Sequence, residues 1–186
     1  RPERRSIGSA GRRGPRWCPC ASCAGAGGAR DARGDRHDPV DPGGAPGRHE
    51  GAATSVAFAG ARVAVSGGRD RTVRVWDLSG RREPTVLEGH GETVTSVDAL
   101  LDGTRAVSGS ADGTVRLWDL RGLTIARVME GHRAQVSCVR FSADGMVVAS
   151  AAWDGTARLW DTEAGTLLGV LEGHEANLTA VGVHPA

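Results

Sequence analysis

The chain of 186 residues is long enough for one domain with a tail and too short for a large multidomain enzyme. All 23 basic residues are arginines, 22 acidic residues almost balance them, and the net charge of +1 gives no reason to expect nucleic acid or an anionic membrane as a partner. The apolar stretches are only a few residues long, whereas a helix needs roughly 20 to span a membrane. We therefore expect no nucleic-acid partner and no membrane partner.

Residues 1–47 differ in composition from the rest of the chain. They hold six of the eight prolines and ten of the 28 glycines, and they contain neither leucine nor phenylalanine. So few large apolar side chains cannot offset the backbone entropy lost on ordering, which is roughly 1–2 kcal/mol per residue. We predict a disordered N-terminal tail over 1–47 and a folded region over 48–186.

Three cysteines in the tail are candidate metal ligands. Cys18, Cys20 and Cys23 follow a C-x-C-x2-C pattern, and His37 lies further on. A structural zinc site usually presents C-x2–4-C pairs within a folded knuckle, which this Gly/Pro-rich segment does not resemble, so we expect no metal and no cofactor. The fourth cysteine, Cys138, is predicted to be a buried thiol in a strand. Four cysteines without a recognisable secretory signal favour a reducing compartment, and we expect a cytoplasmic protein.

From residue 48 onward the chain repeats itself every 42 residues. Trp76, Trp118 and Trp160 are separated by 42 residues each, and a serine and an aspartate recur at the same step. The tripeptide E-G-H also recurs at this step, whereas the first copy begins with Arg48-His49 and is one residue shorter. Such a fixed period is the signature of a repeat architecture. The predicted copies span about 48–87, 88–129 and 130–171, with a partial fourth copy over 172–186.

Each copy is predicted to hold four β-strands. Apolar residues alternate over short runs, which is typical of strands and not of the 3.6-residue helix period. Turn-forming dipeptides such as Asp102-Gly103 separate the runs, because glycine tolerates the positive φ of a tight hairpin. In the second copy the predicted strands are Val94–Leu100, Arg105–Gly109, Val115–Trp118 and Thr124–Met129, and a strand near Leu178–Val183 is predicted to open the fourth copy.

The spacing between a Gly-His pair and a Trp-Asp pair resembles the WD40 repeat of β-propellers. In two copies the tryptophan follows the histidine by 28 residues. The resemblance covers about residues 48–186 and implies an all-β fold, a partial WD40 β-propeller in which each repeat forms one four-stranded antiparallel blade. The two sets of pairs are Gly89-His90 with Trp118-Asp119, and Gly131-His132 with Trp160-Asp161.

The resemblance also gives a role to the polar residues inside the strands. An indole N–H, a hydroxyl, an imidazole and a carboxylate can satisfy one another when they are buried. We expect such tetrads to fasten each blade, and leaving a buried member unpaired would cost about 1–3 kcal/mol. The expected tetrads are His49, Ser66, Asp70 and Trp76; His90, Ser108, Asp112 and Trp118; and His132, Ser150, Asp154 and Trp160.

Serine, histidine and aspartate together could instead form a hydrolase triad. A catalytic serine needs one strained, exposed turn such as G-x-S-x-G and a separate oxyanion hole. The sequence contains no such motif, and the same constellation occurs three times, each time with a tryptophan. An active site would occur once, so we predict no catalytic residue and no enzymatic activity.

The resemblance places a binding face at the end of the blades where the tight turns converge. On this face it puts the residue before each turn aspartate and the residues three and five positions after the repeat histidines. Trp153 could be an interface anchor or could pack on a neighbouring blade, and both alternatives stay open. The predicted protein-binding residues are Arg69, Ala111, Trp153, Thr93, Thr95, Gln135 and Ser137, with Asn177 and Thr179 at the matching positions of the fourth copy.

Two function classes remain open from the sequence. The first is a noncatalytic scaffold that binds a protein or peptide on this face. The second is the recognition or regulatory arm of a larger signalling enzyme, such as a kinase, protease or NTPase, whose catalytic domain lies elsewhere in the full-length chain. Because β-propellers close with about 4–8 blades, we expect a fragment whose further blades come from the missing chain, with self-association as the alternative.

Overall fold

The structure is a computed structural model that describes residues 47–183, and these residues form twelve β-strands and no helix. Accordingly, no helix among them could span a membrane. The predictions for the tail fall outside the described residues, apart from residue 47 itself. This applies to the expected disorder and to Cys18, Cys20, Cys23 and His37.

The strands are β1 (Ala53–Phe58), β2 (Val63–Gly68), β3 (Val73–Asp77), β4 (Thr85–Leu87), β5 (Val94–Ala99), β6 (Arg105–Ser110), β7 (Val115–Asp119), β8 (Thr124–Met129), β9 (Val136–Phe141), β10 (Val147–Ala152), β11 (Ala157–Asp161) and β12 (Leu167–Leu171). They pair in chain order into three separate four-stranded sheets, and every pairing is antiparallel. We call these sheets blade 1 (β1–β4), blade 2 (β5–β8) and blade 3 (β9–β12). The prediction of an all-β fold with four-stranded antiparallel units is confirmed.

The strands of the second copy lie where the alternating apolar pattern predicts them, with bounds that differ by one residue at most. The predicted strand over Leu178–Val183 is not observed. Leu178 donates its N–H to the carbonyl of Ala152 at 3.1 Å, but no second strand lies beside this segment among the described residues. A strand exists only as part of a hydrogen-bonded ladder, so the alternating sequence alone does not produce one here.

The tight turn between the second and third strands requires a left-handed backbone in every blade. Gly113 has φ +80° and Gly155 has φ +78°, as the Asp-Gly dipeptides predict. In blade 1 an arginine, Arg71, takes the same conformation with φ +67°. A non-glycine residue is uncommon in this region, so the surrounding hydrogen bonds fix the turn more strongly than the intrinsic preference of this residue does.

The hydrophobic core lies between the blades. Val65 and Val73 of blade 1 pack with Val97 and Trp118 of blade 2 in one cluster. One period later, the corresponding side chains of blade 2 pack against Trp160 of blade 3. Each buried tryptophan therefore lies against the preceding blade.

The blades approach most closely at a small residue in the second strand. A Cβ atom placed on Gly109 would lie 2.6 Å from Cγ1 of Val136 in blade 3. Gly67 stands in the same relation to Val94 of blade 2. Since a real Cβ atom does not approach another carbon this closely, glycine is required at these positions for the blades to pack as they do.

The outer faces of blades 1 and 3 have no covering blade among the described residues. Val56 and Phe58 on blade 1 are 59% and 62% exposed, and Leu171 on blade 3 is 57% exposed. Trp76, which is equivalent to the buried Trp118, is only partly buried for the same reason. Blade 1 thus presents an apolar sheet face at one end of the stack. At the other end Leu171 is exposed in the edge strand β12, whereas Ala149 and Ala157 of the same blade are buried.

Candidate functional site

A chain of hydrogen bonds runs through the interior of blade 2. The Trp118 indole lies 2.8 Å from Ser108 Oγ, and the same oxygen lies 2.7 Å from His90 Nε2. On the other side of the imidazole, His90 Nδ1 lies 3.0 Å from Asp112 Oδ2. An indole can only donate and an ionised carboxylate can only accept, so the direction is fixed: Trp118 donates to Ser108, Ser108 to His90, and His90 to Asp112.

The same chain of hydrogen bonds recurs in the other two blades. In blade 3, Trp160 and His132 lie 2.8 and 2.7 Å from Ser150 Oγ. In blade 1, the imidazole of His49 lies 2.7 Å from Ser66 Oγ and 2.9 Å from the carboxylate of Asp70. The structure thus brings together all three sets of four residues that the sequence singled out.

A threonine is the fifth member of each cluster. Thr114 donates its hydroxyl to Asp112 at 2.7 Å and its backbone N–H to the same oxygen at 2.9 Å. Thr72 and Thr156 do the same for Asp70 and Asp154. These threonines are not among the residues predicted for the tetrads, although they recur at the same 42-residue step.

In each blade a backbone hydrogen bond also fixes the turn that carries a predicted binding residue. Ala111 directly precedes Asp112 and donates its N–H to the carbonyl of Thr93 at 2.9 Å. Trp153 likewise donates to the carbonyl of Gln135 at 2.9 Å, and Arg69 to that of Ala52 at 3.0 Å. The turn in each blade is therefore held against the segment that leads into the first strand.

These turns surround a groove of about 760 Å³ that extends over all three blades. All seven residues predicted for the face on the three complete copies line it, and so does Thr179. Thr54 and Ala180 also line the groove. Thr54 lies five residues after His49, so the pattern used for the other copies also points to it. No sequence signal points to Ala180. Asn177, which was predicted for the face, is not part of the lining. We call this feature the turn groove.

The family model for the WD domain, G-beta repeat, matches residues 47–77, 81–119 and 123–161. The chain belongs to the WD40 family. Each match covers the first three strands of one blade, and the second and third matches also include the last strand of the preceding blade. The matches confirm the resemblance drawn from the Gly-His and Trp-Asp spacing. A comparison with curated proteins found no match.

Two of the predicted binding residues also donate hydrogen bonds beyond their own blade. Thr95 Oγ1 lies 2.9 Å from the carbonyl of Gly109 within blade 2 and 2.5 Å from that of Val136 in blade 3. Ser137 Oγ lies 2.6 Å from the carbonyl of Leu178 in the segment that follows blade 3. Because these hydroxyls donate within the protein, a ligand would meet them mainly as groove wall.

The carboxylates of the tetrads are charged at neutral pH. Burial alone would raise the pKa of Asp112, but hydrogen bonds from Thr114, Gly91 and His90 outweigh it and lower this pKa to about 2. The pKa of Asp70 is also lowered to about 2, where burial is again outweighed by hydrogen bonds, here from His49, Thr72 and Glu50. Hydrogen bonds likewise lower the pKa of Asp154 against the effect of burial.

The imidazoles of blades 2 and 3 are neutral at pH 7. Burial lowers the pKa of His90, and its hydrogen bond to Asp112 only partly compensates. The pKa of His132 is lowered in the same way, with Asp154 as the compensating partner. A neutral imidazole that donates through Nδ1 and accepts through Nε2 is the form that the hydrogen-bond chain requires.

The buried serines are poorly placed for nucleophilic catalysis. Ser108 and Ser150 are 0% exposed, and Ser66 is 5% exposed. Each Oγ atom lies between an indole and an imidazole, so a substrate carbonyl has no approach to it. The geometry therefore suits a structural clasp.

No cluster of three or more His, Cys, Asp or Glu side chains within residues 47–183 could hold a metal ion. Cys138 is a free thiol buried in β9, where the sequence analysis placed it. Its Sγ atom lies 3.8 Å from the carbonyl of Val181.

We predict that Asp112→Ala lowers the free energy of unfolding by at least about 2 kcal/mol, because the His90 imidazole and the backbone N–H groups of Gly91 and Thr114 lose a charged acceptor. Chemical unfolding followed by tryptophan fluorescence measures this change. Asp102→Ala is the matched control, since within residues 47–183 the hydrogen bonds to the Asp102 carboxylate come only from Thr104 in an exposed turn. The free energy of unfolding of this variant should fall much less. Equal losses for the two variants would contradict the clasp.

Stability should fall as the solution is acidified below pH 6.5. The folded-state pKa values of His90 and His132 lie below the ordinary 6.5, so the unfolded chain takes up protons first and protonation favours unfolding. The aspartates, at about 2 against an ordinary 3.8, add a second loss as the pH falls from about 4 to 2. Urea unfolding between pH 8 and 3 measures the free energy of unfolding at each pH. The stability of the double variant His90→Asn/His132→Asn should depend less on pH between 7 and 5. Higher stability of the parent chain at pH 5 than at pH 7.5 would refute the assignment of the histidine protonation states.

Proposed function

We propose that the chain is a noncatalytic module that binds a protein or peptide segment in the turn groove. WD40 repeats indicate a propeller-type domain for protein–protein interaction. The observation that supports this particular site is the meeting of the predicted face residues from three blades in one groove. Loops held on a rigid scaffold are where binding residues commonly lie.

The exposure of Trp153 supports its role as an anchor. Its side chain is 48% exposed on the wall of the groove, whereas Trp118 and Trp160 are buried between blades. Tryptophan is enriched among residues that dominate the energy of interfaces. A tryptophan left this accessible offers a partner a large apolar contact at little cost in side-chain entropy.

The burial of the tetrad serines supports a noncatalytic role. Ser108 bonds to Trp118 and His90 inside blade 2 and, like Ser150, has no exposed surface. We propose that the chain binds its partner in the cytoplasm. It would bind through the same groove if the repeats form the recognition arm of a larger signalling enzyme. We propose neither nucleic acid nor a membrane as the partner of the groove.

The exposed apolar side chains at the ends of the stack support the proposal that further blades pack there, either from the same chain or from a second copy. In blades 2 and 3 the face that carries the tryptophan is covered by valines of the preceding blade. On blade 1 the same face forms an apolar depression that includes Val56, Phe58 and Trp76. We propose that a longer WD40 chain supplies the covering blades, with self-association of two such stacks as the alternative.

We predict that filling the turn groove weakens the binding of peptides that are selected on it. A randomised peptide library displayed on phage is selected on the full chain, and the enriched peptides are then measured against Ala111→Trp. The indole would occupy the space between the turns of blades 1 and 3, so affinity should fall by tenfold or more.

Met146→Trp is the matched control for this experiment. Met146 is exposed in the turn between β9 and β10, at the opposite end of the strands from Trp153. Peptides selected on the parent chain should bind this variant unchanged. If every enriched peptide binds Ala111→Trp as tightly as the parent, the turn groove is not the binding site.

A further inference from the structure

The chemistry of the turn groove points to one class of partner: a peptide that carries a carboxylate together with a large apolar side chain. We infer that Arg69 binds the carboxylate, that Trp153 packs against the apolar side chain, and that the peptide crosses the groove over Ala111. This inference rests on the proposed function, since it specifies the ligand of the same groove.

Among residues 47–183, Arg69 is the one ionisable side chain in the lining of the groove. Its guanidinium group makes no ion pair or hydrogen bond within residues 47–183, and its side chain is exposed. An arginine presents up to five N–H donors in a planar arrangement that matches a carboxylate with two parallel hydrogen bonds. The groove therefore offers an uncompensated site for an anionic group.

The acidic residues next to the groove wall cannot serve as that anionic partner. Asp70, Asp112 and Asp154 directly follow the three wall residues in the chain, but their side chains are only 7%, 15% and 9% exposed. Each carboxylate accepts hydrogen bonds from the histidine and the threonine of its own blade. The tetrads thus turn the acidic groups inward and leave the arginine facing the groove.

The hydrogen-bonding groups that remain in the lining also favour an acceptor-rich ligand. Within residues 47–183 no hydrogen bond engages the indole N–H of Trp153 or the side chains of Thr93 and Gln135. Together with Arg69 they provide several donors, and no carboxylate in the lining competes for them. Glu50, Glu92 and Glu175 are exposed near these segments in the chain but do not line the groove, so recognition depends on direct contact with Arg69 rather than on the overall charge of this end.

The three wall residues set the layout of the ligand. The same turn position holds arginine in blade 1, alanine in blade 2 and tryptophan in blade 3, so the small side chain leaves space between a charged contact and an aromatic contact. Stacked sheets lie about 10 Å apart, which puts the outer two turns at most about 20 Å apart. An extended chain of about six residues covers that distance, and the groove volume of about 760 Å³ lies in the range of ligand sites.

The test uses peptides selected on the full 186-residue chain from a randomised phage library, with affinities measured by fluorescence anisotropy. We expect the enriched peptides to share an aspartate or glutamate within about five residues of a large apolar residue. Arg69→Glu should weaken them by tenfold or more, because one charge-assisted contact becomes a repulsion. Trp153→Ala should also weaken them by about tenfold.

Arg81→Glu is the matched control for charge. Arg81 is exposed in the loop between β3 and β4 and does not line the turn groove, so this variant should bind the peptides as the parent does. Replacing the peptide carboxylate by its amide should reproduce the loss seen with Arg69→Glu, and it should have little further effect in the Arg69→Glu variant.

The outcomes separate this inference from the proposed function. The inference would be overturned by peptides that lack a carboxylate, or that bind Arg69→Glu unchanged, but are weakened by Trp153→Ala and Ala111→Trp. That result would leave the turn groove as a binding site. A phosphopeptide that binds at least tenfold more tightly than its glutamate counterpart would overturn the carboxylate assignment. Peptides that are insensitive to Ala111→Trp would overturn both proposals.

Discussion

The hydrogen-bond chain from indole to carboxylate is the interaction on which the rest of this WD40 structure depends. In blade 2 it joins a histidine that precedes the first strand, a serine on β6, a tryptophan on β7 and an aspartate in the turn between them. Because that aspartate directly follows Ala111 in the chain, fixing its carboxylate also fixes one wall of the turn groove. The groups that fasten the blade therefore also position the turn groove.

Positions that are identical in the three copies have a different role from positions that vary between the copies. Positions that are identical in the three copies carry the clasp, as Ser66, Ser108 and Ser150 do. The position before the turn aspartate differs in every copy, with a cation, a methyl group and an indole. One rigid frame thus displays three different side chains around a groove, and the proposed recognition chemistry rests on these differences.

The period of 42 residues predicted most of the fold, because each blade buries the same groups in the same places. What it could not predict depends on neighbours. Leu178–Val183 has the alternation of a strand but lacks a ladder, and Trp76 repeats a buried tryptophan yet stays partly exposed because no described blade covers it. The period does not predict the exposure of Trp153, since the other copies have no aromatic side chain at this position. The threonines beside the aspartates keep the period, so the sequence does carry a signal for them.

The protonation state of the tetrad imidazoles tests the clasp most directly. Nitrogen-15 NMR of the histidine side chains at pH 7 distinguishes a protonated ring nitrogen from one that only accepts. If the hydrogen-bond chain holds the blades as described, His90 and His132 will each be neutral with the proton fixed on Nδ1 and with Nε2 accepting from serine. A proton on Nε2, or an averaged signal from imidazoles that exchange freely between both forms, would contradict this account.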